Sequence, residues 1–183
     1  RQLQAASTIA INGNSPAHWW TIRLLRLMLD NLGECSLWQV LPPLFEGRAD
    51  DFLDKYIRLM AFSTPPIIEL WTSQRAALSL ALDSANKGCI VNLRTSAGKP
   101  RVAELAMLKT LSTNPVARIL YLAPFRSLAF EIERTLASSF SWLDFKVSHL
   151  YGGSRVSSVD TELISESSII IATPEKARAL LRA

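Results

Sequence analysis

This 183-residue chain contains few residues that could form covalent or metal cross-links. Its two cysteines, Cys35 and Cys89, lie far apart and fit no paired-cysteine or Cys/His spacing, which argues against a disulfide framework and a structural zinc site. No apolar run is long enough to cross a bilayer, and no basic-then-apolar leader precedes the first residues. We therefore expect a cytoplasmic protein with two reduced cysteines and no membrane segment.

The chain also lacks a large excess of charge. Its formal net charge is +4, and the whole excess lies in residues 67–183. A surplus of this size is compatible with a polyanionic partner but does not require one. His18 and His149 fit no ligand or nucleophile pattern, so we expect both to be structural. The chain begins with Arg1 rather than Met, as expected of a fragment or a processed product.

A proline-containing break at residues 63–66 separates two regions of different pattern. We place a domain boundary there, with a small helical module in residues 1–66 and a second domain in residues 67–183. In the module, Ser15 and Pro16 form a helix start, and the helix should run to about residue 31. Its apolar side should face the core, through Trp20, Leu24, Leu27 and Met28.

Two further features describe the rest of the helical module. The run Leu41-Pro42-Pro43 should break the next segment, because proline cannot donate a helical hydrogen bond. Helical periodicity then resumes over residues 50–61. Nothing in the module has a pattern typical of catalysis, although it could recruit a protein partner.

Downstream of the break, short aliphatic runs alternate with helical stretches. This alternation is typical of β-α units around a parallel sheet and predicts an α/β fold. In such sheets, ligand sites lie at the carboxyl ends of the strands. The predicted buried strands are 88–93, 117–123, 145–151 and 168–173, and the predicted helices are 99–111, 127–140, 159–166 and 174 onward.

The loop after the first predicted strand is close to a phosphate-binding loop. Gly98-Lys99 matches the closing pair of the strict pattern, but Leu93 stands at its first glycine and Pro100 at its final Ser/Thr. Small residues before a helix let backbone N–H groups approach an anion, and Lys99 would add a positive charge. The alternative for this segment alone is a surface turn that contains a lysine.

Five short segments follow one another in a characteristic order. Together they resemble the first RecA-like domain of superfamily-two helicases, the DEAD/DEAH-box proteins in the wide sense, and most closely the superkiller-type branch. The resemblance covers residues 67–183 and implies a partial RecA-like P-loop domain with a parallel sheet. The segments are ELWTSQRAAL (69–78), RTSAGKPR (94–101), APFRSLAFEIE (123–133), YGG (151–153) and ATPEKA (172–177).

The resemblance implies an ATP site. Five of the six residues from Thr95 to Pro100 agree with the family's phosphate loop, Thr-Ser-Ala-Gly-Lys-Thr. Lys99 would then contact the β- and γ-phosphates as the catalytic lysine, while Trp71 and Gln74 would bind adenine. The ordinary alternative for Gln74 is the solvated first turn of a helix. The implied nucleotide-binding residues are Trp71, Gln74, Thr95, Ser96, Ala97, Gly98, Lys99 and Pro100.

The resemblance also implies contacts to the phosphates of one nucleic-acid strand, DNA or RNA. A threonine cap followed by proline leaves helix N–H groups available to a backbone phosphate, and an arginine offers a fork of donors. Each element has an ordinary alternative as a helix start, a tight turn or an arginine that pairs with Glu133. The implied strand-binding residues are Phe125, Arg126, Gly152, Gly153, Thr173, Pro174 and Glu175.

Two departures from the family pattern bear on activity. Pro100 replaces the residue that binds Mg²⁺ through its hydroxyl, so we expect nucleotide binding that is weak or lost. The chain also ends at Ala183, before an Asp-Glu-x-His or Asp-Glu-x-Asp motif could appear, so this fragment alone should not hydrolyse ATP.

The sequence favours the N-terminal fragment of an ATP-dependent helicase or translocase. The main alternative is a degenerate RecA-like scaffold that binds nucleic acid or protein without ATPase activity. An unrelated P-loop kinase is disfavoured, because the Gly-Gly and Thr-Pro-Glu segments follow in the helicase order.

Overall fold

The computed structural model describes residues 2–45, 50–83, 85, 87–150 and 156–182. None of the described helices is long and apolar enough to span a membrane. A short 3₁₀ turn, Ser141–Leu143, follows the helix Arg126–Phe140. The elements are α1 (Gln2–Asn12), α2 (Pro16–Cys35), α3 (Leu37–Leu44), α4 (Asp50–Ala61), α5 (Thr72–Ala81), α6 (Lys99–Thr113), β1 (Ile119–Leu122), α7 (Arg126–Phe140), β2 (Val147–His149), α8 (Ser158–Glu166), β3 (Ile169–Ala172) and α9 (Pro174–Leu180).

Three parallel strands form the sheet in the order β1-β3-β2. Ile169 of the central strand lies opposite Ile119 on one side and Val147 on the other. The mixed α/β architecture confirms the fold class predicted from the sequence. β3 is fully buried and β2 is largely buried, whereas the edge strand β1 exposes Leu120 and Leu122 and so departs from the prediction of a strand buried on both faces.

The predicted strand at residues 88–93 is wrong. This segment forms no ladder with any described strand. Val91 and Leu93 pack partly against the core, while the Ile90 side chain is 97% exposed. Its apolar residues therefore reflect partial burial on one side. A strand needs a hydrogen-bonded neighbour, and a β-branched run does not by itself supply one.

One hydrophobic core extends across the break at residues 63–66. Leu41 and Tyr56 from the helical module belong to the same buried cluster as Leu105 of α6 and Ile171 of β3. The helical module is therefore packed onto the α/β part by shared apolar burial. The boundary at residues 63–66 stays a prediction about domains.

The expectation that the apolar side of α2 faces the core is wrong. Trp20 is 62% exposed, and the other three apolar residues of that side are exposed as well. The contacts of α2 to neighbouring elements are mainly with α1 and α3. Periodicity showed that the helix has an apolar side but could not show what covers it. These residues are Trp20, Leu24, Leu27 and Met28.

The expected helix break at Leu41-Pro42-Pro43 is also wrong in position. Both prolines lie inside α3, which ends at Leu44. Leu37 and Leu41 are almost fully buried and hold the short helix against the core. Tertiary burial therefore outweighs the missing proline N–H groups over this last turn, and the chain leaves the helix one residue later than the prolines.

Candidate functional site

The loop before α6 is a tight turn that ends in a left-handed glycine. Ala97 N donates to Arg94 O at 3.2 Å, and Gly98, at φ +75°, is the N-cap of α6. A Cβ on Gly98 would lie 2.0 Å from Gln74 Nε2. Both the backbone angle and the neighbouring amide therefore require glycine here.

Lys99, the first residue of α6, folds back over this loop. Its Nζ donates to Leu93 O at 2.6 Å and to Arg94 O at 3.3 Å. The first-turn N–H groups of a helix have no intrahelical acceptor and carry partial positive charge. Lys99 and the start of a 15-residue helix thus place positive charge beside the same loop.

Gln74 fastens the loop to the start of α5. Its Nε2 donates to Gly98 O at 3.3 Å, and its Oε1 accepts from Trp71 N at 2.9 Å. The side chain is buried, unlike the solvated first-turn residue of the ordinary alternative. The structure thus brings together Trp71, Gln74 and the loop, while the adenine contact of Gln74 stays a prediction.

A cleft of about 690 Å³ adjoins the loop. It lies between α2, the segment before α5, and the start of α6. Trp71 lines it with a side chain that is 53% exposed. A cleft with apolar walls and a few polar groups suits a small organic ligand. The lining residues include Met28, Asn31, Glu69, Trp71, Gln74, Gly98, Pro100, Arg101 and Glu104.

Sequence reasoning missed two charged residues of this cleft. Arg101 and Glu104 lie one helical turn apart on α6, and Arg101 Nη1 donates to Glu104 Oε2 at 2.6 Å. Glu104 is buried, and this burial raises its pKa despite the opposing effect of Arg101. The three-residue spacing of opposite charges was the available signal, but such pairs are common on exposed helix faces.

The predicted strand-binding residues that the structure describes lie at the carboxyl edge of the sheet. Phe125 and Arg126 begin α7 directly after β1, and Thr173 caps α9 directly after β3. The pairing continues one residue past β1, because Ala123 N donates to O of Ala172, the last residue of β3, at 3.0 Å. The two helix starts are therefore neighbours.

The candidates at the start of α9 and Phe125 lie at the protein surface or cap a helix. Thr173 Oγ1 accepts from Lys176 N at 3.4 Å, which confirms the predicted cap. Phe125 is 69% exposed, and Pro174 and Glu175 are exposed at the first turn of α9. Gly152 and Gly153 lie outside the described residues.

A buried ion pair holds α8 against α9 behind these helix starts. Lys176 Nζ donates to Asp160 Oδ2 at 2.7 Å, and both residues are only 3% exposed. Ser157 N and Ser157 Oγ also donate to Asp160 Oδ2, at 2.7 and 2.8 Å. Burial alone would raise the pKa of Asp160, but the hydrogen bonds from Lys176 and Ser157 lower it below its ordinary value. Sequence reasoning predicted the two helices and the Thr-Pro-Glu-Lys helix start here, but not the ion pair between them.

The residues present do not complete a magnesium site. Pro100 lies in the first turn of α6, where it offers no side-chain oxygen and no N–H. Within the described residues, no group of three or more His, Cys, Asp or Glu side chains is placed to hold a metal ion. The weakness expected at this position of the loop stays a prediction.

Comparisons with known proteins identify a family and several relatives of this chain. Residues 71–183 match the DEAD/DEAH box helicase family. The Hachiman protein HamB of Bacillus cereus is 43% identical over 96% of this chain and 15% of its own length. The ATP-dependent DNA helicase Hel308 of Methanocella arvoryzae is 34% identical over 63% of this chain and 15% of its own. The ATP-dependent DNA helicase MER3 of Saccharomyces cerevisiae is 35% identical over 54% and 8%.

The chain thus spans a small part of the relatives it matches, at most 15% of the three named here. The family match covers more than half of the chain and includes the loop before α6 and the helix starts described above. On the strength of that match, the chain belongs to the DEAD/DEAH box helicase family.

Proposed function

We propose that this chain is the N-terminal part of the first RecA-like domain of an ATP-dependent DNA or RNA helicase or translocase. Lys99 and the backbone of residues 95–98 hold the nucleotide phosphates, and Trp71 lies at the adjoining cleft that takes the nucleoside. The family generally uses ATP and Mg²⁺; here Pro100 weakens the metal contact. Hydrolysis and movement belong to the whole protein.

One observation carries the proposal most directly. The Lys99 ammonium, the left-handed turn at Gly98 and the start of α6 converge beside a cleft of about 690 Å³. Phosphates favour helix N-termini and lysine, while the cleft offers apolar walls to a base. This pairing is what a nucleoside triphosphate requires, and an ordinary surface turn would not need it.

Titration of a fluorescent ADP against this chain tests the proposal. We expect saturable binding that unlabelled ATP displaces. A protein-specific control is denatured chain at the same concentration. Absence of binding at millimolar nucleotide, by this chain and by variants of the loop, would contradict the proposed nucleotide site.

The second part of the proposal is a strand-binding edge. Phe125 and Arg126 at α7 and Thr173 at α9 would contact the phosphates of a single strand, with Pro174, Glu175, Gly152 and Gly153 beside them. Contacts to phosphates fix position without sequence preference. The adjacency of the two helix starts supports this arrangement.

Replacement of Arg126 by alanine should weaken strand binding and reduce its salt dependence. Loss of one phosphate contact lowers the slope of log affinity against log salt by about 0.7 for a single strand. The measurement is fluorescence anisotropy of a labelled single strand at several salt concentrations. The matched control is Arg134→Ala, an exposed arginine farther along α7. Equal slopes for both variants would contradict a phosphate contact by Arg126.

A degenerate scaffold remains the second candidate, and Pro100 is the observation that favours it. Such a scaffold would bind nucleic acid or protein without nucleotide dependence. The exposed apolar side of α2 supports a protein partner for the helical module, because large exposed apolar patches mark interaction sites. Strand binding that is unchanged by nucleotide in the whole protein would favour this second candidate.

A further inference from the structure

A buried polar cluster joins the helical module to the helix that follows the phosphate loop. Tyr56 of α4 is 0% exposed, and its hydroxyl donates to Glu104 Oε1 at 3.0 Å. Arg101 Nη1 donates to Tyr56 Oη at 3.0 Å and to Glu104 Oε2 at 2.6 Å. Each of the three side chains therefore contacts the other two, and Tyr56 is 45 and 48 residues away in sequence from Arg101 and Glu104.

This cluster lies between the apolar core and the cleft, and Ser139 is a further hydrogen-bond partner of Glu104. Met60, Leu105 and Leu108 are buried in the same core, and Arg101 Nη1 also contacts Met60 Sδ at 3.0 Å. Apolar residues of similar volume at such a place would often be as stabilising as a buried ion pair. Directional hydrogen bonds differ from apolar contacts because they fix the rotation and register of the helices they join. The cluster is therefore suited to fixing the orientation of α6 relative to α4.

The element that the cluster orients is the start of α6. Arg101 lies two residues after Lys99, and Arg101 N donates to Gly98 O at 3.1 Å. The same carbonyl accepts from Gln74 Nε2 at 3.3 Å. A rotation of the first turn of α6 would move the Gly98 carbonyl, the Lys99 ammonium and the first-turn N–H groups together. Tyr56 opposes that rotation from outside the helicase motifs.

We infer that Tyr56 of the helical module is a positioning residue that holds the phosphate loop in its binding geometry through Arg101 and Glu104. The functional part of this inference rests on the proposed nucleotide site. The helical module then helps to set the geometry of that site. Burial and the nearby Glu104 carboxylate both raise the pKa of the Tyr56 phenol, so its hydroxyl stays protonated as a donor at neutral pH.

Tyr56→Phe tests the inference, because it removes the hydroxyl and keeps the buried ring. Amide hydrogen exchange of the nucleotide-free chain should be faster in residues 94–104, with residues 126–140 as the internal reference. Nucleotide affinity should fall about threefold to tenfold, the range expected for one lost hydrogen bond. The matched control is Tyr121→Phe, which makes the same change in β1, and it should alter neither readout.

A purely structural role for Tyr56 predicts a different result. Lower stability alone would reduce the melting temperature and speed exchange in both segments alike, and nucleotide affinity of the folded chain would not change. That outcome, or no change in exchange and affinity, would overturn the inference. If no nucleotide binds to wild type, faster exchange confined to residues 94–104 in Tyr56→Phe would support the positioning role while the proposed function fails.

Discussion

Replacing Lys176 with methionine should lower the free energy of unfolding by about 3–5 kcal/mol. The substitution removes the ammonium that lies 2.7 Å from Asp160 Oδ2 and leaves a buried carboxylate whose remaining donor among the described residues is Ser157. A buried charge without its counter-ion is among the most costly changes in a protein interior. Urea denaturation of wild type and variant at about pH 7 measures the difference.

The pH dependence of this loss has a definite sign. In wild type the pKa of Asp160 is lowered, so its stabilising contribution is present above the ordinary Asp value of 3.8 and is lost as the pH falls. Loss of Lys176 removes a hydrogen bond and a charge that lower this pKa, so the pKa of Asp160 should be higher in the folded variant than in folded wild type. The folded variant then takes up a proton at a higher pH than folded wild type does, so its deficit should shrink as the pH falls through the variant's Asp160 pKa.

A surface ion pair provides the control. Lys146 and Glu166 form a pair whose side chains are about half exposed. Lys146→Met should therefore cost less than about 1 kcal/mol. The double variant Lys176→Met, Asp160→Asn should be more stable than Lys176→Met alone, because no buried charge remains. A loss in Lys176→Met no larger than that of Lys146→Met would contradict a stabilising buried pair.

Replacing Lys99 with alanine should weaken ADP binding about tenfold to a hundredfold. The ammonium now contacts the carbonyls of Leu93 and Arg94 and would turn to the phosphates, where a charge-assisted hydrogen bond contributes about 1.5–3 kcal/mol. Isothermal titration in the Pro100→Thr background, where binding should be tighter, measures the loss.

Lys55→Ala controls for the loss of one positive charge. Lys55 is an exposed residue of α4 that pairs with Asp51, so its removal should leave ADP affinity unchanged. An equal loss in Lys55→Ala and Lys99→Ala would mean that general charge, and not the loop, attracts the nucleotide. Unchanged affinity in Lys99→Ala would remove the loop lysine from the site.

Local sequence signals predicted most of the α/β part. The runs that became β1, β2 and β3 were recognised because each is short, mainly apolar and placed between helical stretches. Thr173 and Pro174 predicted the start of α9 because an N-cap and an N1 proline act within one helical turn. The family resemblance, carried by the order of five segments, is confirmed by the match over residues 71–183.

Features that depend on distant partners could not be predicted in this way. The exposure of Trp20 depends on which elements reach α2, and the absence of a ladder at residues 88–93 depends on neighbouring strands. Likewise, the contact of Tyr56 in α4 with Arg101 in α6 joins two residues that lie 45 positions apart in the sequence. Periodicity describes one element, whereas these features belong to pairs of elements.

Sequence reasoning singled out the loop before α6 but did not predict the contacts that hold it. The Gly98-Lys99 pair and Gln74 were found from their residue types and spacing. The amide of Gln74 nevertheless contacts Gly98 O and Trp71 N in the structure, an arrangement that follows from the packing of α5 on α6. Hydrogen-bond partners across helices require coordinates, because a glutamine in a first turn has many alternatives.

The most direct measurement is a titration of fluorescent ADP and ATP against this chain and its Pro100→Thr variant, each with and without Mg²⁺. Our account predicts weak binding by wild type. Threonine should tighten it by about tenfold or more in the presence of Mg²⁺, a change of about 1.4 kcal/mol, because threonine restores a hydroxyl and an N–H at the start of α6. Equal and tight Mg²⁺-dependent binding by both proteins, or no binding by either, would contradict a phosphate loop weakened at its metal position.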